Sequence, residues 1–252
     1  MARAKKILIS IISHNHNKFL VKILGDLNCI NVGQRFNFRI ILTINTPEQK
    51  IDLSQFKNIN IKVIENSSCK GFGANNNQAF EAEESDFFLV LNPDARIYNL
   101  EFEYLMSVME SNRNLGVLGV QVVNSSGYVQ DSFREYPSFK GILDRVLTKL
   151  RGGKLEKPNL KFENGLAKVD WVAGMFMFFV SDRFSEIGGF DERYFMYLED
   201  ADICRRMNVL GKSVVYTNKY EIYHDAQRAT FKNLKHLKWH IQSMIRFLIR
   251  KV

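Results

Sequence analysis

Proline is scarce in this chain, 4 in 252 residues, and no Gly/Ser-rich or Pro-rich stretch separates one part from another. Without such a linker, one continuous domain is the simpler reading of a length that suits a single large α/β unit. Cysteine is equally thin. Cys29, Cys69 and Cys204 lie far apart and form no CxxC pair, which argues against a disulfide framework or a zinc site and for reduced thiols in a cytoplasmic protein. A membrane-spanning run is missing too. The apolar segment Ile7 to Ser13 is too short to cross a bilayer and shows no signal-cleavage pattern, so it reads as a buried strand. Internal repeats are absent. So are helix-turn-helix, zinc-finger and RNP patterns, which removes the support for nucleic acid as a partner.

What the chain does have is a hydrophobic fraction of 46%, ample for a core, and a formal net charge of +8. That excess favours anionic partners such as nucleotides, diphosphates or membrane surfaces. Apolar, β-branched runs at Lys6–Ser13, Phe38–Ile44, Ile61–Ile64 and Phe87–Leu91 read as buried parallel strands. Each runs into polar residues: Ser13-His14-Asn15-His16-Asn17, Asn45-Thr46, Glu65-Asn66 and Asn92-Pro93-Asp94. Helical stretches intervene, one at Lys18–Leu27 and one that follows a Gly/Asn-rich loop, Gly71–Asn77. In open α/β sheets, ligands bind in the crevice beyond the carboxyl ends of the strands. Residues 1–100 therefore look like a Rossmann-like nucleotide-binding half, and 101–230 like the half that completes the site.

The second half is less regular. A helix is expected at Glu101–Ser111, a strand at Gly116–Val123, helical character after Pro137, and a buried strand or strand pair at Val169–Val180. An acidic group, Glu199-Asp200-Ala201-Asp202, opens a helix that Gly211 ends. Residues 231–252 form a basic amphipathic helix that either lies on an anionic membrane or packs on the domain with a solvated basic side.

Three groups could carry chemistry. Asp94, just past a buried strand, suits a divalent cation that neutralises a diphosphate leaving group, and equally suits a plain turn. Glu199 or Asp200, beside Phe195 and Tyr197, could take a proton from an attacking hydroxyl, or could simply offset a helix dipole. His224 could ligate a metal or bind phosphate, although a lone histidine is more often structural.

Taken together these stretches resemble family 2 glycosyltransferases, in particular the rhamnosyltransferase-like branch that builds bacterial surface polysaccharides such as O-antigen and capsule. The resemblance runs from Ile7 to about His224, and its most specific part is Gly188–Arg206, GGFDERYFMYLEDADICRR. It implies a single GT-A domain with a mostly parallel central sheet flanked by helices. The implied reaction is inverting transfer of a sugar from dTDP-rhamnose or a UDP-sugar to a glycan or lipid-linked glycan, with Mn²⁺ or Mg²⁺ as cofactor. It further implies Asp200 as base with Glu199 beside it, and Asp94 and His224 at the metal. Ser13, His14, Asn15, Asn45, Asn66, Gly71, Asn77 and Asn92 would lie at the nucleotide, and Trp171, Gly174, Asp191 and Arg206 where donor and acceptor sugars meet. Two positions depart from the family pattern. The segment Thr43-Ile44-Asn45-Thr46 after the second strand lacks the acid that often holds the nucleobase, and Asn92 replaces the first Asp of the DxD motif. A nucleotidyltransferase and a non-catalytic glycan- or membrane-binding module are the rival readings. The implied setting is cytoplasmic, with peripheral attachment to the inner face of the cell membrane.

Overall fold

A computed structural model describes residues 3–32, 36–152, 160–224 and 234–250. Its elements in chain order are β1 (Lys5–Ser13), α1 (Asn17–Ile30), β2 (Phe36–Ile44), β3 (Asn60–Glu65), α2 (Phe72–Glu81), β4 (Phe87–Leu91), β5 (Ala95–Arg96), α3 (Phe102–Ser111) and β6 (Leu115–Val123). Then come β7 (Phe133–Arg134), α4 (Phe139–Leu150), β8 (Leu166–Lys168), β9 (Trp171–Val172), β10 (Phe176–Val180), α5 (Ser181–Glu186), α6 (Glu199–Val209), β11 (Ser213–His224) and α7 (Leu234–Ile249).

Nine strands form one sheet in the order β3-β2-β1-β4-β10-β6-β11-β5, with β8 on the flank of β11. The first four are parallel, β6 and β11 are parallel, and β10 is inserted antiparallel between β4 and β6. The sheet is thus mostly parallel, with antiparallel pairs where the second half joins the first. Period-two alternation sorts its side chains between two layers. Ile7, Ile9 and Ile11 face α1 and α3, meeting Leu20, Leu24, Phe102 and Leu105. Leu8, Phe88, Val90 and Phe179 face the other layer, where Phe184, Phe190, Ala201 and Cys204 close the core.

The stretch Gly71–Asn77, expected as a loop, is instead the start of a helix. Gly71 caps α2 in an extended conformation, and the Asn75 and Asn76 amides bond back to the carbonyls of Gly71 and Phe72. Its glycines serve close packing. A Cβ on Gly71 would lie 2.6 Å from the Phe195 carbonyl oxygen, and one on Gly73 2.8 Å from Phe190 Cβ. α2 can therefore press directly on the 190–195 segment. The expected strand or pair at 169–180 is two strands, β9 and β10, with Gly174 in the link between them. The long strand β11, which ends at His224, is not among the expected strands. The expected C-terminal helix lies partly outside the described residues, which omit 231–233 and 251–252; its described part is α7.

One buried ion pair ties α1 to the segment after β4. Arg96 donates twice to Asp26, at 2.7 and 2.8 Å, and the Ile97 N–H donates to the same carboxylate. Removing one partner of a buried pair costs about 3 kcal/mol or more, less where the other partner reaches water as Arg96 does. Asp26→Ala is therefore expected to lower the unfolding free energy by about 2 kcal/mol, read as a shifted urea midpoint with an unchanged slope. A shift within error would show that water replaces the pair at no loss.

Candidate active site

The carboxyl ends of β1, β2 and β3 are knitted together by asparagines. Asn45 N–H donates to the Ser13 carbonyl and Asn66 N–H to the Ile44 carbonyl. The Asn66 amide donates to Asn45 Oδ1 at 2.9 Å and to Asn75 Oδ1 at 2.7 Å, and the Lys70 N–H returns to Asn45 Oδ1. An acid at position 45 would not serve all these bonds equally well, because the Asn45 amide also donates to the Lys70 carbonyl. Ser13 is buried and its Oγ accepts from His16 N–H, while His14 and Asn15 are exposed, Asn15 at φ 61. The β1 end thus turns sharply and brings His16 back over the strand ends.

Asp94 follows β4, and His224 closes β11 in register with Ala95. His224 Nε2 stands 3.0 Å from Asp94 Oδ1. Burial raises the Asp94 pKa, but the His224 hydrogen bond and charge outweigh it, leaving the group below the ordinary carboxylate range. His16 is close enough to feel the Asp94 charge, although burial holds its pKa below the usual imidazole value. His16 is a site residue that sequence reasoning missed: it sat unremarked inside a polar cluster, and only the turn at Asn15 shows where it goes.

The acidic pair opens α6. Gly174 N–H donates to Asp200 Oδ2 at 2.9 Å and Ala201 N–H to Oδ1 at 2.8 Å. Glu199 is buried beside it, and its Oε2 has no partner among the described residues. Desolvation raises both pKa values, and the Asp200 charge raises Glu199 further. Asp200 is drawn back by its two N–H donors and by the nearby Arg134 guanidinium. Burial thus raises both groups, and Asp200 is the one whose charged form is favoured by two neighbouring N–H donors and a guanidinium. Arg134, whose guanidinium lies 5.4 Å over the Trp171 ring, is the second residue that the sequence did not disclose. It reaches the site only because β7 pairs with β9.

The two acidic stations are joined through one short segment. Asn92 N–H donates to the Met175 carbonyl, and the neighbouring Gly174 N–H holds Asp200. The turn into α6 is strained: Tyr197 and Leu198 are both left-handed, at φ 71 and 63. Such residues persist only where their surroundings over-determine them. Here Phe72 N–H donates to the Phe195 carbonyl, Ser243 Oγ to the Met196 carbonyl, and Tyr197 Oη meets His236 Nδ1 at 2.7 Å.

Four expected contact residues are already engaged. The Asn77 amide clamps both backbone groups of Phe190. Asp191 pairs with Arg193 and Arg250, and the Arg193 hydrogen bond brings its pKa down to about 2. Arg206 binds the fully buried Asp202 and the carbonyls of Ile187 and Gly189. Trp171 is buried, its indole N–H on the Glu135 carbonyl.

A parallel-stranded nucleotide-type half, an antiparallel insertion and an acidic pair at a helix start describe a GT-A-type sugar transferase. Residues 10–184 match the sequence family described as Glycosyl transferase family 2, and the chain belongs to that family. Rhamnosyltransferase WbbL of Escherichia coli is 27% identical over 97% of this chain and 93% of its own length. The N-acetylglucosaminyl-diphospho-decaprenol L-rhamnosyltransferase of Mycobacterium tuberculosis is 30% identical over 65% of this chain and 55% of its own. Among solved structures, GalNAc-T7 with UDP, GalNAc and Mn²⁺ superimposes with a TM-score of 0.64 at 11% identity, over 88% of this chain and 43% of that one. S. aureus TarS 1–349 with UDP-GlcNAc gives 0.60 at 12% identity, over 98% of this chain and 68% of that one. The chain is accordingly a nucleotide-sugar glycosyltransferase whose relatives serve bacterial glycan synthesis.

The raised Glu199 pKa gives a stability signature. The folded state holds that proton more tightly than the unfolded chain, so the contribution is complete below the ordinary carboxyl range and lost as pH rises through the folded value. The Glu199 part of wild-type stability should therefore decline from acid towards neutral pH, whereas Asp94 and Asp191, whose pKa values are lowered, contribute the opposite trend. Glu199→Gln should flatten that decline, gaining on the wild type as pH rises. Parallel stability–pH curves for the two proteins would remove Glu199 as the proton holder.

Proposed function

We propose that the chain catalyses inverting transfer of a hexosyl group from a nucleoside-diphosphate sugar to a hydroxyl of a glycan or lipid-linked glycan in bacterial surface polysaccharide synthesis. The rhamnosyltransferase relatives favour dTDP-rhamnose as donor, and the nucleotide-bound neighbours keep UDP-sugars in view. The observation that carries the reading is the bonding of Asp200 and Asn92 to adjacent residues, 174 and 175, which sets the base beside the strand end that bears Asp94.

Asp200, held by two N–H donors with Arg134 nearby, accepts the proton of the acceptor hydroxyl. The freed alkoxide attacks the anomeric carbon from the face opposite the diphosphate, the glycosidic bond forms, and the nucleoside diphosphate leaves with the bonding electrons. Glu199, protonated, donates a hydrogen bond that orients the acceptor. Asn45, Asn66, Asn92, Ser13 and the 14–16 turn form the floor for the nucleotide.

Asp94 and His224 fit a divalent cation. Asp94 Oδ1 and His224 Nε2, 3.0 Å apart and hydrogen-bonded to each other, would be the two atoms to hold it. A carboxylate oxygen with an imidazole nitrogen suits Mn²⁺. Among the described residues no cluster of three ligands occurs, so the diphosphate oxygens would complete the shell. Such an ion supplies charge neutralisation for the departing diphosphate. The basic α7 would set the enzyme against an anionic membrane face, where lipid-linked acceptors lie.

The test is release of nucleoside diphosphate from a panel of sugar nucleotides with Mn²⁺ present. Asp200→Asn should lower kcat by about 10²- to 10⁴-fold with little change in donor KM. Asp94→Asn and His224→Ala should each abolish the response to added Mn²⁺. No turnover of any donor by well-folded protein would favour the binding-module reading. Turnover insensitive to chelation would remove the cation.

A further inference from the structure

The helix α4 is amphipathic, and none of its described side chains is buried. Its apolar positions Phe139, Leu143 and Leu147 recur at four-residue spacing on one face, and Phe139 and Leu143 are 69% and 57% exposed. A second stripe lies on α7. Leu237, Ile241, Ile245 and Ile249 face away from the domain, while Ser243 and Phe247 face in. The two helices are neighbours at their bases: Tyr136, three residues before α4, packs its ring 5.9 Å from that of Phe247.

The charge of the molecule is concentrated at these helices. Residues 139–151 and 231–252 hold ten Lys and Arg against a single acid, Asp144, and of the ten Arg246 and Arg250 turn inward onto residues 191–202, whereas the whole chain's formal net charge is +8. The rest of the protein is therefore close to neutral. Apolar stripes flanked by cations are the pattern of helices that lie in the interface of an anionic bilayer, where each cation near the surface contributes about 1 kcal/mol. A second copy of the chain is a poor occupant, because it would set the same cationic face against itself.

We propose that α4 is a bilayer-docking element in its own right, forming with the outer stripe of α7 a two-helix surface for anionic lipid. The inference takes its partner from the membrane placement proposed above and adds the element that makes attachment bivalent. Two linked weak contacts bind far more tightly than either alone. The inner side of α7 holds the 193–197 segment through Ser243, His236 and Arg246. Docking on its outer side would bring the turn before Glu199 within about one helix diameter, ~10 Å, of the bilayer.

The experiment is co-sedimentation of the full chain with vesicles of phosphatidylcholine, with and without phosphatidylglycerol, at low and high salt. Donor hydrolysis in solution and light scattering are measured on the same samples. Wild type should bind only the anionic vesicles and be released by salt. L143E/L147E in α4 and I241E/I245E in α7 should each weaken partitioning at least about 10-fold, with hydrolysis in solution unchanged. Undiminished binding of L143E/L147E would overturn the role of α4 and leave the α7 placement standing. Wild type that ignores anionic vesicles would overturn both, with donor hydrolysis still reporting on the transferase reading. An oligomer dissociated by L143E/L147E would assign the stripe to a second copy and overturn the proposal.

Discussion

Two adjacent carboxyl groups kept out of water are unfavourable for any fold, and α6 begins with such a pair. The helix dipole helps, because both lie in the first turn. The larger compensation is specific. Asp200 is gripped by the N–H groups of Gly174 and Ala201, whereas Glu199 Oε2 has no partner among the described residues. The asymmetry gives the two acids unlike surroundings, and much of the second half holds that arrangement in place. Gly174 must sit in the β9–β10 link. The 197–198 corner must be left-handed. α7 must press on the segment before it.

That support is built from uncommon pairings. Asp202, two residues past Asp200, is fully buried and surrounded by Arg206, Arg250 and, at 3.7 Å, Arg205. Arg206 spends its remaining donors on the carbonyls at 187 and 189, and Asn77 clamps residue 190 from α2. The GGFDERYFMYLEDAD stretch is thus fixed from three sides. This explains why so many of its polar residues are charged or amidic without all of them facing a substrate.

Much of this was legible in the sequence, and the gaps have physical causes. The first four strands announced themselves because parallel strands buried on both faces read as continuous apolar runs. The acids at 94 and 200 could be picked out because each follows an aromatic or apolar stretch at a polar boundary. Position 71–77 misled because glycine and asparagine signal turns locally, whereas here tertiary packing against Phe190 and Phe195 selects the glycines and the asparagines cap the helix's own carbonyls. Arg134 and His16 carried no signal at all. One is placed by a two-residue strand pairing and the other by a single left-handed residue, and neither leaves a periodicity. Asp191 and Arg206 looked like ligand contacts because charge in a motif cannot reveal whether its partner is a sugar or another side chain.

The insertion of β10 between β4 and β6 has a mechanical corollary. Because β10 hydrogen-bonds to both neighbours, one unbroken sheet carries the Asp94 station and the segment that holds Asp200. The strand before Asp94 and the strand that follows Gly174, whose N–H holds Asp200, are thus hydrogen-bonded neighbours, so drawing those two segments apart would require breaking the β4–β10 pairing.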